Sequence, residues 1–356
     1  YLDNAYRAYS EATLDKKEAT LNSFIQMWLS KPSLPTDFEA ARDDIWPILR
    51  AGAEFYTSSL AVEVDTGVKH RLAHRGIDNT HLSVGLAFDT PKVRLLISRD
   101  MLQDWNVDLG ETIDVAMKNL SKSLSGKYNF LAIGKLYQVM DAGPYGDTIF
   151  LQPGILDSLG FKGDPVVMVP RRNQLLVADS QDDAALSLMV EMTKEALESK
   201  SGQFCSSTAI QLKNGKWSTY SLPEGHKLQS ALDFLHKREQ SYYYSSQKEV
   251  LVQYLEKIDD SSGVATYQLF LDSEDKPVSM ATWSNGVDTL LPVTDLVCLV
   301  HSPLDENSAV TVAKWKVMQR ACCRLLTVSN HSPIRFQTRG FPSPELLEKI
   351  KMELPK

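Results

Sequence analysis

Cysteine is scarce in this sequence: 4 residues in 356, at Cys205, Cys298, Cys322 and Cys323, with no CxxC pair. So few thiols cannot staple a chain of this length, which excludes a disulfide-built secreted scaffold. They are expected as buried, reduced thiols of a cytoplasmic protein. Long apolar runs are missing as well. The longest, such as residues 165–170 (PVVMVP) and 296–300 (LVCLV), fall far short of the ~18–20 residues that span a bilayer. They suit buried strands, and no membrane partner is expected. Positive charge is outnumbered: 38 Lys and Arg stand against 45 Asp and Glu, for a net charge of -7. That balance argues against nucleic acid as a default partner. The spacings GxGxxG, GxSxG and HExxH are also absent, so no nucleotide-cradling loop, nucleophile elbow or helical zinc pair is written into the chain.

What is present reads as an ordinary folded protein, with 43% hydrophobic and 23% charged residues. Its length predicts two domains. Residues 3–30 pattern as one amphipathic helix carrying Leu14, Leu21, Phe24, Ile25, Trp28 and Leu29. Thr36 and Glu39 form a capping-box pattern before a second helix containing Trp46, Ile48 and Leu49, with Pro47 expected to kink or end it. Residues 57–97 pattern as three strands, beginning with LAVEV at 60–64. Ser98 and Asp108 are expected caps of the next two helices. Residues 136–140 and 147–151 are expected to pair as a hairpin around DAGPYG. Two strands follow, then a long helix capped by Ser180 and Asp183, then a hairpin turning at Asn214-Gly215. A polar stretch predicts a linker helix, and the remainder mixes short strands with a helix through Leu251, one around 303–326 and one from Ser343. The fold class is therefore α+β: a mixed-sheet domain with N-terminal helices over 1–225, a linker helix over 226–247, and a smaller α+β domain over 248–356.

Two stretches share a spacing. Pro170 and Ser180 are ten residues apart, as are Pro292 and Ser302, with an apolar strand between each pair and Asp183 or Asp305 three residues beyond. The pattern fits a duplicated strand–strand–helix module, or simple recurrence of a common unit.

Several stretches between residues 16 and 225 carry a family likeness. They include ARDDIWPILR, LAFDTPKVRLLISRDMLQDWNVDLGETIDVAMKNLSKSL, and above all GDTIFLQPGILDSLGFKGDPVVMVPRRNQLLVADSQDDAALSLMVEMT, ending at STAIQLKNGKW. In this order they resemble the YtpQ-like family of bacterial proteins, a domain of unknown function. The likeness covers about three-fifths of the chain. It implies a cytoplasmic bacterial protein and transfers no reaction, cofactor or catalytic residue. Residues beyond about 240 depart from the family's shorter members.

Candidate sites are few. His70, His74 and His81 cluster with Arg71, Arg75 and Asp78. Glycines flank the group and no HExxH glutamate is present, so a metal is not expected. The local excess of Arg71, His74 and Arg75, with Arg94 and Arg99 nearby, suits an anionic ligand. Arg171 and Arg172 occupy a tight turn, as exposed charges or as a second contact for an anion or partner. Cys205 with His226 is the only cysteine–histidine pair worth weighing as a nucleophile and its base, and nothing in the chain order brings them together. Carboxylate pairs such as Asp182-Asp183 read as helix caps. Tyr242, Tyr243 and Tyr244 are expected to pack between domains. The leading expectation is a non-catalytic cytoplasmic protein, without cofactor, that recognises another protein. The alternative is an enzyme or anionic small-ligand binder with its site between the two domains, using Arg71, His74 and Arg75.

Overall fold

The computed structural model describes residues 9–351 apart from 11, 30–34, 79, 90–93, 125–127, 141, 153, 200–203 and 303–308. The chain is α+β. Helix α1 (Lys17–Leu29) covers the described part of the first expected helix. The short α2 (Phe38–Ala41) is capped by Asp37, whose carboxylate accepts from Ala40 N, rather than by Thr36. The helix expected around Trp46 is instead a strand, β1 (Ile45–Ala51). It pairs only with β3 (Leu82–Asp89) and lies at a sheet edge, the position where a strand tolerates a proline such as Pro47.

Residues 60–64, expected as a strand, lie inside α3 (Gly52–Thr66). Their valines favour a strand locally, but the whole segment packs against another helix, and tertiary contact overrides propensity. Gly67 ends α3 in the left-handed region (φ +74), where a side chain would be strained. The first sheet is completed by β2 (His74–Gly76) and β4 (Arg94–Leu96), both antiparallel to β3. Ser98 accepts from Met101 N at the start of α4 (Arg99–Asp104), and Asp108 accepts from Gly110 N at the start of α5 (Leu109–Leu124), as their spacing predicts. Helix α5 buries Ile113, Ala116 and Leu120 against β1 and β3.

The second sheet has six strands in the order β10-β9-β7-β8-β6-β5. β5 (Asn129–Ile133) and β6 (Leu136–Met140) form its first hairpin. Residues 147–151 are not the partner of β6; they belong to a 3-10 segment, Gly143–Leu151, whose proline favours a helical turn over a strand. β7 (Pro165–Arg171) and β8 (Gln174–Asp179) pair as a hairpin. α6 (Asp183–Glu198) packs on both, capped by Asp182 rather than Ser180. β9 (Ile210–Lys213) and β10 (Lys216–Thr219) turn at Asn214-Gly215, both at positive φ, as that pair predicts.

The linker helix and the helix through Leu251 are one element, α7 (Gln229–Lys257), 29 residues long. α7 touches α3 and α6 on one side and the strands of the last third of the chain on the other. Two adjacent tyrosines show the division. Tyr243 donates to Cys205 O, whereas Tyr244 donates to Ile334 O and stacks on Tyr267 at 5.2 Å.

Beyond α7 lie two four-stranded sheets. One has the order β11 (Gly263–Val264), β14 (Thr289–Pro292), β18 (Arg335–Thr338), β17 (Leu326–Val328). The other has the order β12 (Gln268–Leu271), β13 (Pro277–Ser284), β15 (Leu296–Val300), β16 (Val310–Lys314). Trp283, Leu291, Val297, Leu299 and Phe336 form the core between them, closed by α8 (Trp315–Ala321) and α9 (Pro344–Ile350). α9 begins where a terminal helix is expected, and Ser343 caps it by accepting from Leu346 N. Among the described residues of 303–326, where a long helix is expected, helix is confined to α8 and one 3-10 turn; residues 310–314 alternate in burial and form a strand.

The repeated proline–serine spacing serves two topologies. β7 and β8 pair with each other, whereas β14 and β15 lie in different sheets and a strand, β16, follows them. Asp305 lies outside the described residues. Among the described residues, no helix is long and apolar enough to cross a membrane.

Candidate anion-binding cleft

After Gly67 the chain returns along α3 and is pinned on both sides. Leu72 N donates to Ser59 Oγ of α3 at 3.0 Å, Ala73 N to Ile97 O at 2.8 Å, and Arg99 N to Arg71 O at 2.7 Å. Leu72 and Ala73 are thereby buried. Their polar neighbours Lys69, His70, Arg71 and His74 are left lining a cleft, with Arg99 beside them. α3 contributes Tyr56, Ser59 and Glu63, and the far wall comes from Tyr254 of α7 and residues 330–332 between β17 and β18. The cleft encloses about 510 Å³.

Its charge is one-sided. Lys69, Arg71 and Arg99 face a single lining carboxylate, Glu63. Among the described residues, none of these three cations has a carboxylate within ion-pair distance. Two of the histidines are held neutral. Burial pushes His74 below its usual value, and Arg99 pushes it further. Its ring stacks on Phe55 at 4.6 Å, and its Nδ1 is buried without a hydrogen-bond partner. Burial, then Arg335, takes His331 down to about 4. Burial, then Tyr254 and Glu63, takes Tyr56 up to about 12. The Tyr56 hydroxyl therefore stays protonated and donates to His331 Nδ1 across the cleft at 2.5 Å.

The structure brings Arg71 and His74 together and separates Arg75 from them. Adjacent residues of a strand face opposite ways, so Arg75 on β2 lines a different groove, with Asp78 and Asp114. Arg171 and Arg172 lie elsewhere. Arg172 meets Glu54 Oε1 at 2.5 Å, the same oxygen meets Arg50 Nε at 3.2 Å, and Asp147 Oδ2 lies 4.0 Å from Arg50 Nη1, so two carboxylates face the two guanidinium groups. Arg171 donates to Glu195 O at 3.4 Å. Local spacing pointed to Arg71 and His74. It could not point to Tyr254 or His331, which lie far along the chain and share no motif with them.

His81 lies in a separate cluster that has the composition of a catalytic triad. Its Nε2 is 2.8 Å from Ser206 Oγ and 2.8 Å from Glu239 Oε1. A proton relay needs the serine on one ring nitrogen and the acid on the other; here both meet Nε2, whose N–H direction favours the serine. Ser206 is also fully buried. The other Glu239 oxygen accepts from Ser207 N, Ser207 Oγ and Thr208 Oγ1. Burial alone would raise Glu239, but the charge of His81 and these donors hold it down at about 2. The cluster is a structural joint between the loop before β3, the segment before β9 and α7.

Cys205 and His226 are not a pair. Cys205 is buried and its thiol is pushed up by burial, while both His226 ring nitrogens are engaged, by Asp183 and by Leu228 N. Among the described residues, no group of three or more His, Cys, Asp or Glu is placed to hold a metal ion. No protein-family profile, curated protein or solved structure matches this chain.

Proposed function

We propose that this protein binds an anionic small molecule in the cleft between α3, α7 and the loop before β18. One observation carries the reading: Lys69, Arg71 and Arg99 converge on a half-enclosed space with a single carboxylate on its walls. The ligand class is one or more carboxylates or phosphates on a small body. Guanidinium groups match planar and tetrahedral oxyanions through paired N–H donors. Neutral His74 and His331, with Tyr254 and Asn330, supply hydrogen bonds without adding charge. Arg75, Arg171 and Arg172 are left out of the site. We read the protein as cytoplasmic, a reading supported by its few free thiols. The likeness of residues 16–225 to the YtpQ-like family is retained as a proposal about ancestry, and it lends no reaction.

The test is calorimetric titration of the whole chain with inorganic phosphate, pyrophosphate, sulfate and citrate. Saturable binding to one site is expected, weakened about tenfold or more by Arg71→Ala. Absence of saturable binding to any of these anions, or binding unchanged in the variant, would refute the proposal.

A further inference from the structure

A second surface, remote in sequence from Arg71 and His74, has another character. A groove of about 880 Å³ runs over one end of the β12-β13-β15-β16 sheet, and a smaller one of about 290 Å³ lies between α8 and α9. They adjoin along Lys316 and Val317, which line both, and are called the channel below. Its floor is apolar. Phe270 is 39% exposed, Val293 38% and Val317 45%, and Val278, Leu296 and Leu346 are half-buried around them. Large apolar side chains gathered in a concave surface are costly to leave in water and mark contact sites.

The rim carries the second signal. Its carboxylates are already engaged: Asp295 with Lys237 at 2.6 Å, Glu274 with Lys276 at 2.5 Å, and Asp272 with the backbone N–H groups of Glu274 and Lys276. Lys314, Lys316, Arg320 and Lys349 are exposed, and among the described residues none has a carboxylate within ion-pair distance. A chain of net charge -7 thus concentrates uncompensated positive charge beside an apolar channel.

We propose that this channel docks a segment of another protein that is acidic and studded with large apolar side chains. The apolar groups would fill the floor over Phe270 and Val317, and Asp or Glu would pair with Lys316, Arg320 and Lys349. Charge complementarity of this kind sets partner choice and association rate, and an extended or helical segment in a groove is a recurrent docking mode. An anionic lipid surface fits less well, because the site is concave. The proposal does not rest on the cleft between α3 and α7.

The test is selection of random displayed peptides on the whole wild-type chain, followed by fluorescence anisotropy of the enriched peptides. Enrichment of Asp and Glu together with Leu, Phe or Trp is expected. Affinity should fall about tenfold or more in the triple variant Lys316→Glu, Arg320→Glu, Lys349→Glu, and fall with added salt. The three positions are exposed, so circular dichroism should show an unchanged fold. Enrichment of neutral or basic peptides, no enrichment, or binding indifferent to the triple variant would overturn the proposal. So would sedimentation with phosphatidylserine vesicles, or a wild-type dimer in light scattering, that the same variant abolishes.

Discussion

The hydroxyl of Tyr56 and Nδ1 of His331 lie 2.5 Å apart, joining α3 to the loop before β18 across the mouth of the cleft. The contact links the first and last thirds of the chain, and it works only while His331 is neutral. His331 has a folded pKa of about 4 against an ordinary 6.5. A group whose folded pKa is depressed contributes stability above its unfolded pKa and loses it as pH falls toward the folded value. Urea unfolding should therefore show stability falling between about pH 6.5 and pH 4, less steeply in His331→Asn. Equal slopes would remove His331 from the account.

Glu239 and His81 set a different window. Glu239 is held at about 2, so its contribution is complete above its ordinary 4.5. His81 is raised from 6.5 by Glu239 against the opposing effect of burial. Its contribution is complete below 6.5 and is lost as pH rises through its raised value. The pair should stabilise the fold most between about 4.5 and 6.5. Glu239→Ala removes the acceptor for Ser207 and Thr208 and leaves His81 without its counter-charge. The expected loss is about 3–5 kcal/mol, measured by urea unfolding near pH 6.

Arg335 is fully buried, and among the described residues no carboxylate lies within ion-pair distance of it. Its Nε donates to Gln247 Oε1 at 2.6 Å, and its Nη atoms donate to the carbonyls of Ala265, Leu290 and Tyr244. The guanidinium fastens α7 to β14 and to Ala265 just after β11. Arg335→Met would remove four donated hydrogen bonds, of whose acceptors Leu290 O keeps its bond from Ala265 N, at a cost of about 3 kcal/mol. Arg335→Lys should recover part of that, because an ammonium reaches fewer of them. Thermal unfolding of the two variants checks the order.

The thiols should separate by burial. Cys323 is exposed and Cys298 partly so, whereas Cys205 and Cys322 are buried with raised pKa values. Maleimide labelling of the native chain followed by mass mapping should modify Cys323 first and leave Cys205 untouched until unfolding. Rapid labelling of Cys205 would contradict its placement under Tyr243.

Much of this architecture is written locally. The caps at Ser98, Asp108 and Ser343 and the turn at Asn214-Gly215 follow from side chains that satisfy nearby backbone groups, so a short window suffices to read them. The errors fall where distant packing decides. Residues 45–51 look helical until the strand that pairs with them is known, and residues 60–64 look extended until α7 covers them. The cleft divides in the same way. Arg71 and His74 stand out as a local basic cluster, and Arg75 joins them in sequence but is turned away by strand alternation. Tyr254 and His331 reach the site only through the path of α7 and the register of β17 on β18, and no spacing in the chain encodes that distance.

The central claim is that Lys69, Arg71 and Arg99 form an anion site, and differential thermal stabilisation tests it most directly. Wild-type chain and the Arg71→Ala, Arg99→Ala double variant would be melted against increasing pyrophosphate at constant ionic strength. General salt effects act on both proteins alike, and a ligand bound only to the folded state raises the melting temperature only where its site exists. The account predicts a saturable rise in the wild type that is lost in the variant. An equal rise in both, or none in either, would contradict it.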